Sequence, residues 1–504
     1  MNNHRPPILL SLLFTILLGL NGDAQPATPP NQEVKRITLA EAVALALRYN
    51  RTVETAYLNR LIEKFDLKVA QDKFFPDLSV FSSVSQGHHE GKNALNSQVG
   101  AEAFLKIPTG GEFGLSWTQS TIDPWQAPVD SFDRDDGFGS NNGFGSDLVF
   151  SFRQPLLKGG GVDVNRASQV IAMRQEHKNL LNLKETLMTT ITQVIHTYRR
   201  FLLAQRGIEI NRLSLERSRH LLEVNRILIE EGRLARMEII QAEVDLANQE
   251  LSFRENENAL DSTRLELLKL LDINRHTLIE PIELIQVEPI NLNIETLLQI
   301  VFENQPDYLQ ALLSHKNAQT KLLLAKNNKL WELDVQARYN ITGRSDSWIE
   351  AQENAGRLGE GDYSVELSLR IPFGDYTLPQ GVVGAKVALR QSEIALQELK
   401  ENIAIAIQDA VRDIKMKWEQ VKLARRAREL SQQQLEIELE KFKVARSSNF
   451  QIVSFQNALI RAENNEIRTK VSYLNALTDL DMLLGTTLER WKINIETVRR
   501  IGLP

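Results

Sequence analysis

The sequence contains no cysteine among its 504 residues. This absence excludes thiol chemistry, cysteine metal sites and disulfides, and it argues against a lipid anchor on an N-terminal cysteine. The formal net charge is −6, so we expect no basic surface large enough to bind nucleic acid. With 42% hydrophobic and 25% charged residues, the composition is otherwise that of an ordinary folded protein.

Proline is absent from two long stretches, between Pro155 and Pro281 and between Pro379 and Pro504. Glycine is rare there, and the residues are mostly good helix formers. The first stretch predicts a helix of about 70 residues, a tight turn near Gly232 and a returning helix of about 40 residues. The second stretch predicts the same hairpin, with its break at 444–450. Each long arm needs a partner surface along about 100 Å.

The N-terminus is typical of a secretory signal peptide. An apolar run over 8–20 follows Arg5, and Ala24 completes a small-residue cleavage site. We therefore expect a signal peptide at 1–24 and a leader at 25–36. An uncleaved anchor is the alternative, disfavoured because a spanning helix needs about 20 apolar residues. With no other helical span in the sequence, the exported protein is either soluble or inserts as strands.

Alternating apolar residues, beginning with Leu78 and Val80, predict β-strands. The segment 76–156 holds two to four strands and a long loop at 122–146. Residues 99–121 either add strands to a barrel or form a hairpin outside its wall. A second strand segment, 331–375, is interrupted by a polar loop at 342–361. Strands of roughly ten residues are long enough to cross a bilayer when tilted.

The second half of the chain repeats the first. Thr38, in a capping box with Glu41, and Asn293 begin two copies of helix, helix, strand. The long hairpins also align, for example Ala172-Met173-Arg174 with Ala388-Leu389-Arg390. The predicted units are helices at 37–75, strands at 76–156, a hairpin at 157–280 with its tip near 232–236, helices at 281–330, strands at 331–375, a hairpin at 376–485 with its tip near 445–450, and a tail at 486–504.

One chain cannot complete this architecture. About six strands are too few to enclose a lumen, and an open sheet leaves unsatisfied backbone groups in lipid. The long helices likewise lack a partner for part of their surface. The sequence therefore predicts a homo-oligomer, with cyclic symmetry as the default.

Several motifs resemble those of the TolC family of outer-membrane efflux proteins. They are Ile37–Leu47, Phe75-Pro76-Asp77-Leu78, Gln154-Pro155-Leu156 and Met237–Ala242. The resemblance covers about residues 37–485. It implies an α+β membrane protein with internal duplication, in which a trimeric outer-membrane β-barrel continues into a long periplasmic α-helical barrel. It also implies a homotrimer with three further partners: a periplasmic adaptor (membrane fusion) protein, an inner-membrane transporter and outer-membrane lipid.

The functional candidates lie at the two hairpin tips, where a mere helix connection is the alternative interpretation. The adaptor-docking candidates are Gly232, Arg233, Leu234, Ala235, Arg236, Arg446, Ser447, Ser448, Asn449 and Phe450. The tunnel-gate candidates are Glu238, Gln241, Gln451 and Ser454. Some family members close the tunnel with an aspartate ring, but the corresponding Gln451 and Ser454 carry no charge.

Neither histidine nor aspartate clusters predict a metal site. His88 and His89 are adjacent on a predicted strand and point to opposite faces. The acidic stretch 133–137 has the wrong register for an EF-hand loop. No catalytic set or cofactor motif stands out, so we expect a protein that is not an enzyme and holds no cofactor.

These features favour a passive outer-membrane exit channel of a tripartite efflux system, in a Gram-negative-type cell. One alternative is a duct for type I protein secretion. The other is a soluble periplasmic coiled-coil scaffold or adaptor.

Cell fractionation separates the membrane channel from the soluble scaffold. We expect the protein in the outer-membrane fraction, as trimers that dissociate only on heating in detergent, because a closed barrel keeps every backbone group bonded. Immunoblots of the fractions would check this. Recovery of the protein with the periplasmic extract would instead favour the scaffold.

Overall fold

The computed structural model describes residues 34–89, 92–122, 143–357, 361–444 and 446–494. The predicted signal peptide, residues 25–33 of the leader, most of the loop at 122–146 and the acidic stretch 133–137 lie outside the described residues. So do the side chains of His88 and His89 and the last ten residues of the tail.

Ten α-helices lie in the described part of the chain, together with eight strands. The helices are α1 (Leu39–Tyr49), α2 (Arg51–Gln71), α3 (Val162–Glu230), α4 (Glu238–Leu270), α5 (Ile294–Asn304), α6 (Pro306–Asn328), α7 (Trp348–Ala355), α8 (Thr377–Lys443), α9 (Asn449–Leu484) and α10 (Thr487–Arg490). The strands are β1 (Lys35–Ile37), β2 (Asp77–His89), β3 (Lys92–Lys106), β4 (Glu112–Ile122), β5 (Gly143–Pro155), β6 (Ile279–Pro281), β7 (Glu332–Ser345) and β8 (Asp362–Arg370).

The two long hairpins dominate the fold. Helix α3 has 69 residues and α8 has 67, close to the length predicted from the missing prolines. The returning helices α4 and α9 have 33 and 36 residues. Among the described residues, none of the helices combines the length and the apolar composition needed to cross a membrane.

The helices form a layer four helices wide. Helices α3 and α8 run through its whole length. In the half nearer the sheet, α2 packs on α3, and α6 lies between α3 and α8. In the other half, α4 packs on α3, and α9 lies between α3 and α8. This order leaves α8 at one border of the layer and α2 or α4 at the other.

Two similar hydrophobic cores stabilise the middle of the layer. In the first core, α1 packs on α3, and the hydroxyl of Tyr198 donates to the Ile37 carbonyl at 2.9 Å. In the second, α5 packs on α8 and α9, and the hydroxyl of Tyr473 donates to the Glu288 carbonyl at 2.8 Å. The predicted capping box of Thr38 and Glu41 begins α1. The internal duplication is therefore visible in the packing.

Two short segments differ from the sequence prediction. Lys35 and Arg36, assigned to the leader, belong to β1, which pairs in parallel with β6. Residues 487–490, assigned to the tail, form α10, and Leu488 is buried in the first core. Both segments are only three or four residues long, and long-range contacts stabilise them.

The remaining six strands form one antiparallel sheet in the order β2-β3-β4-β5-β7-β8. Strands β3 and β4 are integral to it, so the hairpin at 99–121 lies within the sheet and the first segment contributes four strands. The predicted polar loop at 342–361 is wrong in part, because β7 continues to Ser345 and α7 follows. Trp348, Ala351 and Ala355 bring one side of α7 against the sheet, where Gln119 donates to the Trp348 carbonyl at 2.9 Å.

Two glycines with left-handed backbone provide a matched test of this fold. Gly232 has φ +72° and open space where a Cβ would stand, whereas at Gly485, with φ +74°, a Cβ would collide with the Asn304 backbone. We expect Gly232→Ala to lower the free energy of unfolding by about 1 kcal/mol. Gly485→Ala should cost more, because backbone atoms cannot move aside.

Chemical unfolding of the detergent-solubilised protein, followed by far-ultraviolet circular dichroism, measures both costs. Equal losses for the two variants would contradict the close approach of α9 to the end of α5.

Candidate functional site

The first hairpin tip is a tight turn after α3. The left-handed Gly232 lets the chain reverse, and the amides of Arg233 and Leu234 both donate to the Leu228 carbonyl, at 2.8 and 3.1 Å. Arg233 pairs with Glu231 at 3.3 Å, with both side chains about half exposed, so this pair contributes little stability. Arg236 and Ala235 are exposed, and Leu234 is half-buried. The turn thus presents its arginines to solvent.

The second tip ends in a helix cap. Ser448 is the N-cap of α9 and forms a capping box with Gln451. Asn449 and Phe450, predicted as part of the break, are the first two residues of α9. The exposed Arg446 is anchored through its backbone amide, which donates to the Lys441 carbonyl at 2.9 Å.

A buried carboxylate fixes the second tip to α8. The Ser447 hydroxyl donates to Glu438 at 2.6 Å, and Lys441 donates to the same carboxylate at 3.0 Å. The Ser447 hydrogen bond, assisted by Lys441, lowers the pKa of Glu438 below its usual value. The carboxylate therefore stays ionised, and keeps its tip contacts, until the pH falls through that lowered pKa.

The two tips touch each other. The side-chain amide of Asn449, which is fully buried, donates to the Glu238 carbonyl at 3.4 Å. Beside this contact, Leu221 of α3 packs in a small apolar cluster with Phe442, Ile452 and Val453 of the second hairpin. The structure therefore brings Glu238 and Asn449 together, although they are 211 residues apart in sequence.

The tunnel-gate candidates have different environments. The backbone of Glu238 joins the two tips, and its side chain is half-buried, like that of Gln241. Gln451 is exposed, but its side chain accepts hydrogen bonds in the capping box, which is a structural role. Ser454 is exposed. Their roles at a gate stay predictions.

A buried polar network that was not predicted from the sequence lies just above the tips. Asp245 of α4 accepts from the Ser218 hydroxyl at 2.5 Å and from Asn457 of α9 at 3.2 Å. Gln249 accepts from Ser214 at 3.1 Å and donates to Asn457 at 3.0 Å. All three helices of this junction are therefore joined through side-chain hydrogen bonds. Asn211, Ser214, Ser218 and Asn225 repeat along one buried stripe of α3, a periodic signal that was present in the sequence.

Large apolar side chains are exposed around the tips. Met237, Val444 and Phe450 are 78%, 62% and 67% exposed. Together with Arg233 and Arg236 they form a surface suited to protein docking, since aromatic, methionine and arginine side chains are enriched in interfaces. Within the described residues, no group of three histidine, aspartate or glutamate side chains could hold a metal ion.

Removal of the Asp245 carboxylate should loosen the junction of α3, α4 and α9. Asp245→Ala leaves the Ser218 and Asn457 donors buried without their acceptor, a loss of about 1–3 kcal/mol. Hydrogen exchange should become faster in the peptides that contain Ser218 and Asn457. Glu250→Ala, an exposed carboxylate of the same helix, is the control. Unchanged exchange in Asp245→Ala would show that the network does not hold the junction.

The structure of this chain resembles known proteins, whereas its sequence does not match any family model or curated protein. The structure resembles several solved structures across nearly its whole length.

One is the Campylobacter jejuni CmeC outer membrane channel, with a TM-score of 0.65 at 14% identity over 91% of this chain and 90% of that chain. A second is the Vibrio cholerae outer membrane protein VceC, with a TM-score of 0.64 at 12% identity over 89% and 96%. A third is the open state of the Neisseria gonorrhoeae MtrE outer membrane channel, with a TM-score of 0.65 at 14% identity over 89% of each chain. At such low identity the similarity establishes the fold, and the chain accordingly has the fold of TolC-like outer-membrane channels, as its motifs predicted.

Proposed function

We propose that this chain is the outer-membrane exit channel of a tripartite efflux system. In this role it is a passive conduit from an inner-membrane transporter, through the periplasm, to the exterior. The observation that carries the proposal is that the sheet and the helical layer each have two uncovered borders, and that the two borders fit each other. Further copies of the same chain can therefore cover them.

The sheet has one apolar and one polar face. Its register aligns Leu115, Phe150, Tyr339 and Tyr363 in one cross-strand row. The next row, which points to the other face, contains Gly114, Ser151, Arg338 and Ser364. Tyr363 is 83% exposed in the single chain. An apolar outer face and a polar inner face are the arrangement of a transmembrane barrel.

The sheet is open at β2 and β8. Within the described residues neither strand has a partner on its outer side. Such edges are unstable in lipid, because their N–H and C=O groups lack partners. With six antiparallel strands, β8 runs opposite to β2, so β8 of one copy can pair with β2 of the next. Three copies would close a barrel of about 18 strands, a size that leaves an aqueous lumen.

The helical borders carry exposed apolar stripes with the same spacing. On α8 the apolar residues of the stripe repeat every seven residues near the tip. On α4 they follow the same repeat, except that one position of the repeat is not apolar. The α8 stripe consists of Met416, Leu423, Leu430 and Ile437, and the α4 stripe consists of Val244, Leu251 and Leu265. A seven-residue repeat is the spacing at which two helices pack along a seam.

The two stripes also lie at corresponding heights. Asn457 of α9 contacts Asp245 of α4, while Glu466 of α9 accepts from Arg428 of α8 at 2.9 Å. Helices α8 and α9 are antiparallel. Moving back along α9 from Glu466 to Asn457 is therefore equivalent to moving forward along α8 from Arg428 to about Ile437. Val244 is therefore level with Ile437, on opposite borders of the layer. In the other half, α2 has its own exposed stripe, formed by Leu58, Ile62, Phe65 and Val69.

A homotrimer of this kind would lie in the outer membrane through its sheet and extend its helices into the periplasm. The hairpin tips would then be the ends farthest from the membrane. Their exposed Met237 and Phe450, with Arg233, Arg236 and Arg446, form the surface that we assign to a periplasmic adaptor protein. A conduit has no energy source of its own, so the inner-membrane transporter drives export.

A disulfide between the borders tests this assembly directly. We expect Val244→Cys with Ile437→Cys to give covalent trimers after oxidation, because the two side chains meet across the boundary between copies. Helices α3 and α9 separate α4 from α8 within one chain, so the cross-link reports on neighbouring copies. The absence of natural cysteine makes the result unambiguous. Non-reducing electrophoresis measures it.

The matched control is Val244→Cys with Val383→Cys, since Val383 is an exposed residue near the start of α8, at the opposite end of that helix from Ile437. This pair should give no trimers. Monomers alone from the first pair would contradict the assembly. Cross-linked trimers that pass no current in planar bilayers after reduction would contradict the conduit.

A further inference from the structure

A basic cavity lies in the helical layer, well above the tips. Its volume is about 310 Å³. Its polar lining consists of His196, Arg200, Lys417, Arg468, Ser472 and Asn475. Helices α3, α8 and α9 of one chain all contribute, so a single copy completes it. Its lining contains no carboxylate.

The cavity opens on the side of the layer opposite the two cores. Successive helical residues are rotated by about 100°. His196 and Arg200 each stand two residues from Tyr198, which is buried in the first core, so they lie on the other side of α3. Asn475 stands two residues from Tyr473 of the second core. In the assembly proposed above, we place the cores on the periplasmic side, because α1 and α5 add a further set of helices to the layer there, and this opposite side then lines the conduit.

Two of the cationic groups and the imidazole already have partners outside the cavity. Arg200 pairs with Glu266 at 2.9 Å, Lys417 with Asp413 at 2.6 Å, and His196 lies 3.1 Å from Asp479. Arg468 forms no ion pair with the described residues, and its side chain is exposed. The excess positive charge of the cavity therefore centres on Arg468.

Asn475 supplies further hydrogen-bond donors. Its amide oxygen accepts from Arg199 at 3.1 Å, and Arg199 also donates to Thr478 at 2.8 Å. Burial lowers the pKa of Arg199 to about 10, which still leaves it charged near neutral pH. Because the oxygen is occupied, the NH2 group of Asn475 is left for the cavity. Ser472 adds a hydroxyl.

Arg468 also lines a second cavity, of about 710 Å³, on the side toward the tips. Four amides dominate its lining: Asn211, Asn256, Asn464 and Asn465. Arg461 lies one heptad from Arg468 and lines it too, opposite a single carboxylate, Glu255. Asn211, Asn256 and Asn464 each donate one hydrogen to the backbone carbonyl four residues earlier, so each amide has one further hydrogen to offer toward this cavity.

We propose that the cavity around Arg468 is a binding site for anionic groups, namely the carboxylates, phosphates or sulfates of the solutes that the conduit carries. The proposal rests on the proposed function, because it places this face of the layer in the lumen. Arginine, asparagine amide and serine hydroxyl groups donate hydrogen bonds to anions. The lining contains no carboxylate that could compete with a bound anion for these donors. In a trimer, three such sites would surround the passage at one height and favour anionic over cationic solutes.

The charge preference of a thiol in the cavity tests the proposal. In the natural background, the rate of Ser472→Cys with the anionic sulfonatoethyl methanethiosulfonate, divided by its rate with the cationic trimethylammonium-ethyl reagent, should exceed the same ratio measured for a small free thiol. Adding Arg468→Gln should lower the ratio of the two rates about fivefold, because removal of one charge slows the anion and speeds the cation. High salt should also reduce the ratio. Mass spectrometry of the purified full chain follows the reactions.

Two controls isolate the site. Thr189→Cys, an exposed position of α3 on the same side and nine residues before Tyr198, should show a lower ratio that Arg468→Gln does not change. Arg254→Gln removes an equal charge from an exposed part of α4 and should leave both ratios unchanged.

Anion occupancy is measured with a neutral reagent. Sulfate, compared with chloride at equal ionic strength, should slow the reaction of Ser472→Cys with methyl methanethiosulfonate, and Arg468→Gln should abolish that protection. Equal rate ratios at the two thiols, or a lack of sulfate protection, would overturn the proposal. None of these readouts requires a conducting pore. Failure of the trimer cross-link with intact sulfate protection would therefore reject the conduit and retain the anion site.

Discussion

The structure depends on lateral packing of very long helices. A helix of 69 residues cannot be stable in water through its own backbone hydrogen bonds alone, and it needs an apolar surface along its length. Within one chain, α3 obtains that surface from α2, α4, α6 and α9. Helix α8 is covered by its neighbours on one side only, and its apolar stripe from Met416 to Ile437 stays exposed. The same incompleteness recurs in the sheet, whose two edge strands have no outer partner in the part of the chain that the structure describes.

The character of the packing changes along the layer. At mid-length, two apolar cores centred on Tyr198 and Tyr473 join the long hairpins to the short helices. Toward the tips, the large cores are replaced by a small apolar cluster around Leu221 and by the hydrogen bonds of Asp245, Gln249 and Asn457. Apolar burial is non-directional, whereas a buried hydrogen-bond network stabilises only the arrangement in which its partners meet. The tip end therefore has a more precisely specified, and more easily disrupted, contact than the middle.

Charge is distributed differently on the two sides of the layer. The buried Glu466 accepts from Arg428 and pairs with Lys470 at 2.7 Å, so both of these cations have a carboxylate partner within the chain. On the side opposite the cores, Arg468 has no carboxylate partner among the described residues. Exposed ion pairs contribute little stability. An unbalanced cation in a cavity has a larger effect on the field that a passing solute meets.

Long periodic elements were predictable from the sequence, and short or contact-dependent elements were not. The missing prolines and glycines were enough to predict both hairpins, because helix formation over so many residues has no competing local signal. The turn at Gly232 followed from its freedom to adopt a positive φ. By contrast, α7 and α10 have eight and four residues, too few for their periodicity to stand out. The capping of α9 by the Gln451 side chain was likewise not predicted, and its role at a gate stays a prediction.

The sequence by itself determined which long segments are helix and strand, that the chain is an internal duplication, and that one copy leaves apolar surface uncovered. These properties depend on backbone preferences and on side-chain periods, which are local. Only the tertiary structure decided that β3 and β4 belong to the sheet, that Asn449 reaches Glu238, and that Arg468 shares a cavity with His196 and Lys417. Asn449 and Glu238, like Arg468 and His196, are far apart in the sequence, and they meet only because separate helices pack against one another at particular levels along their length.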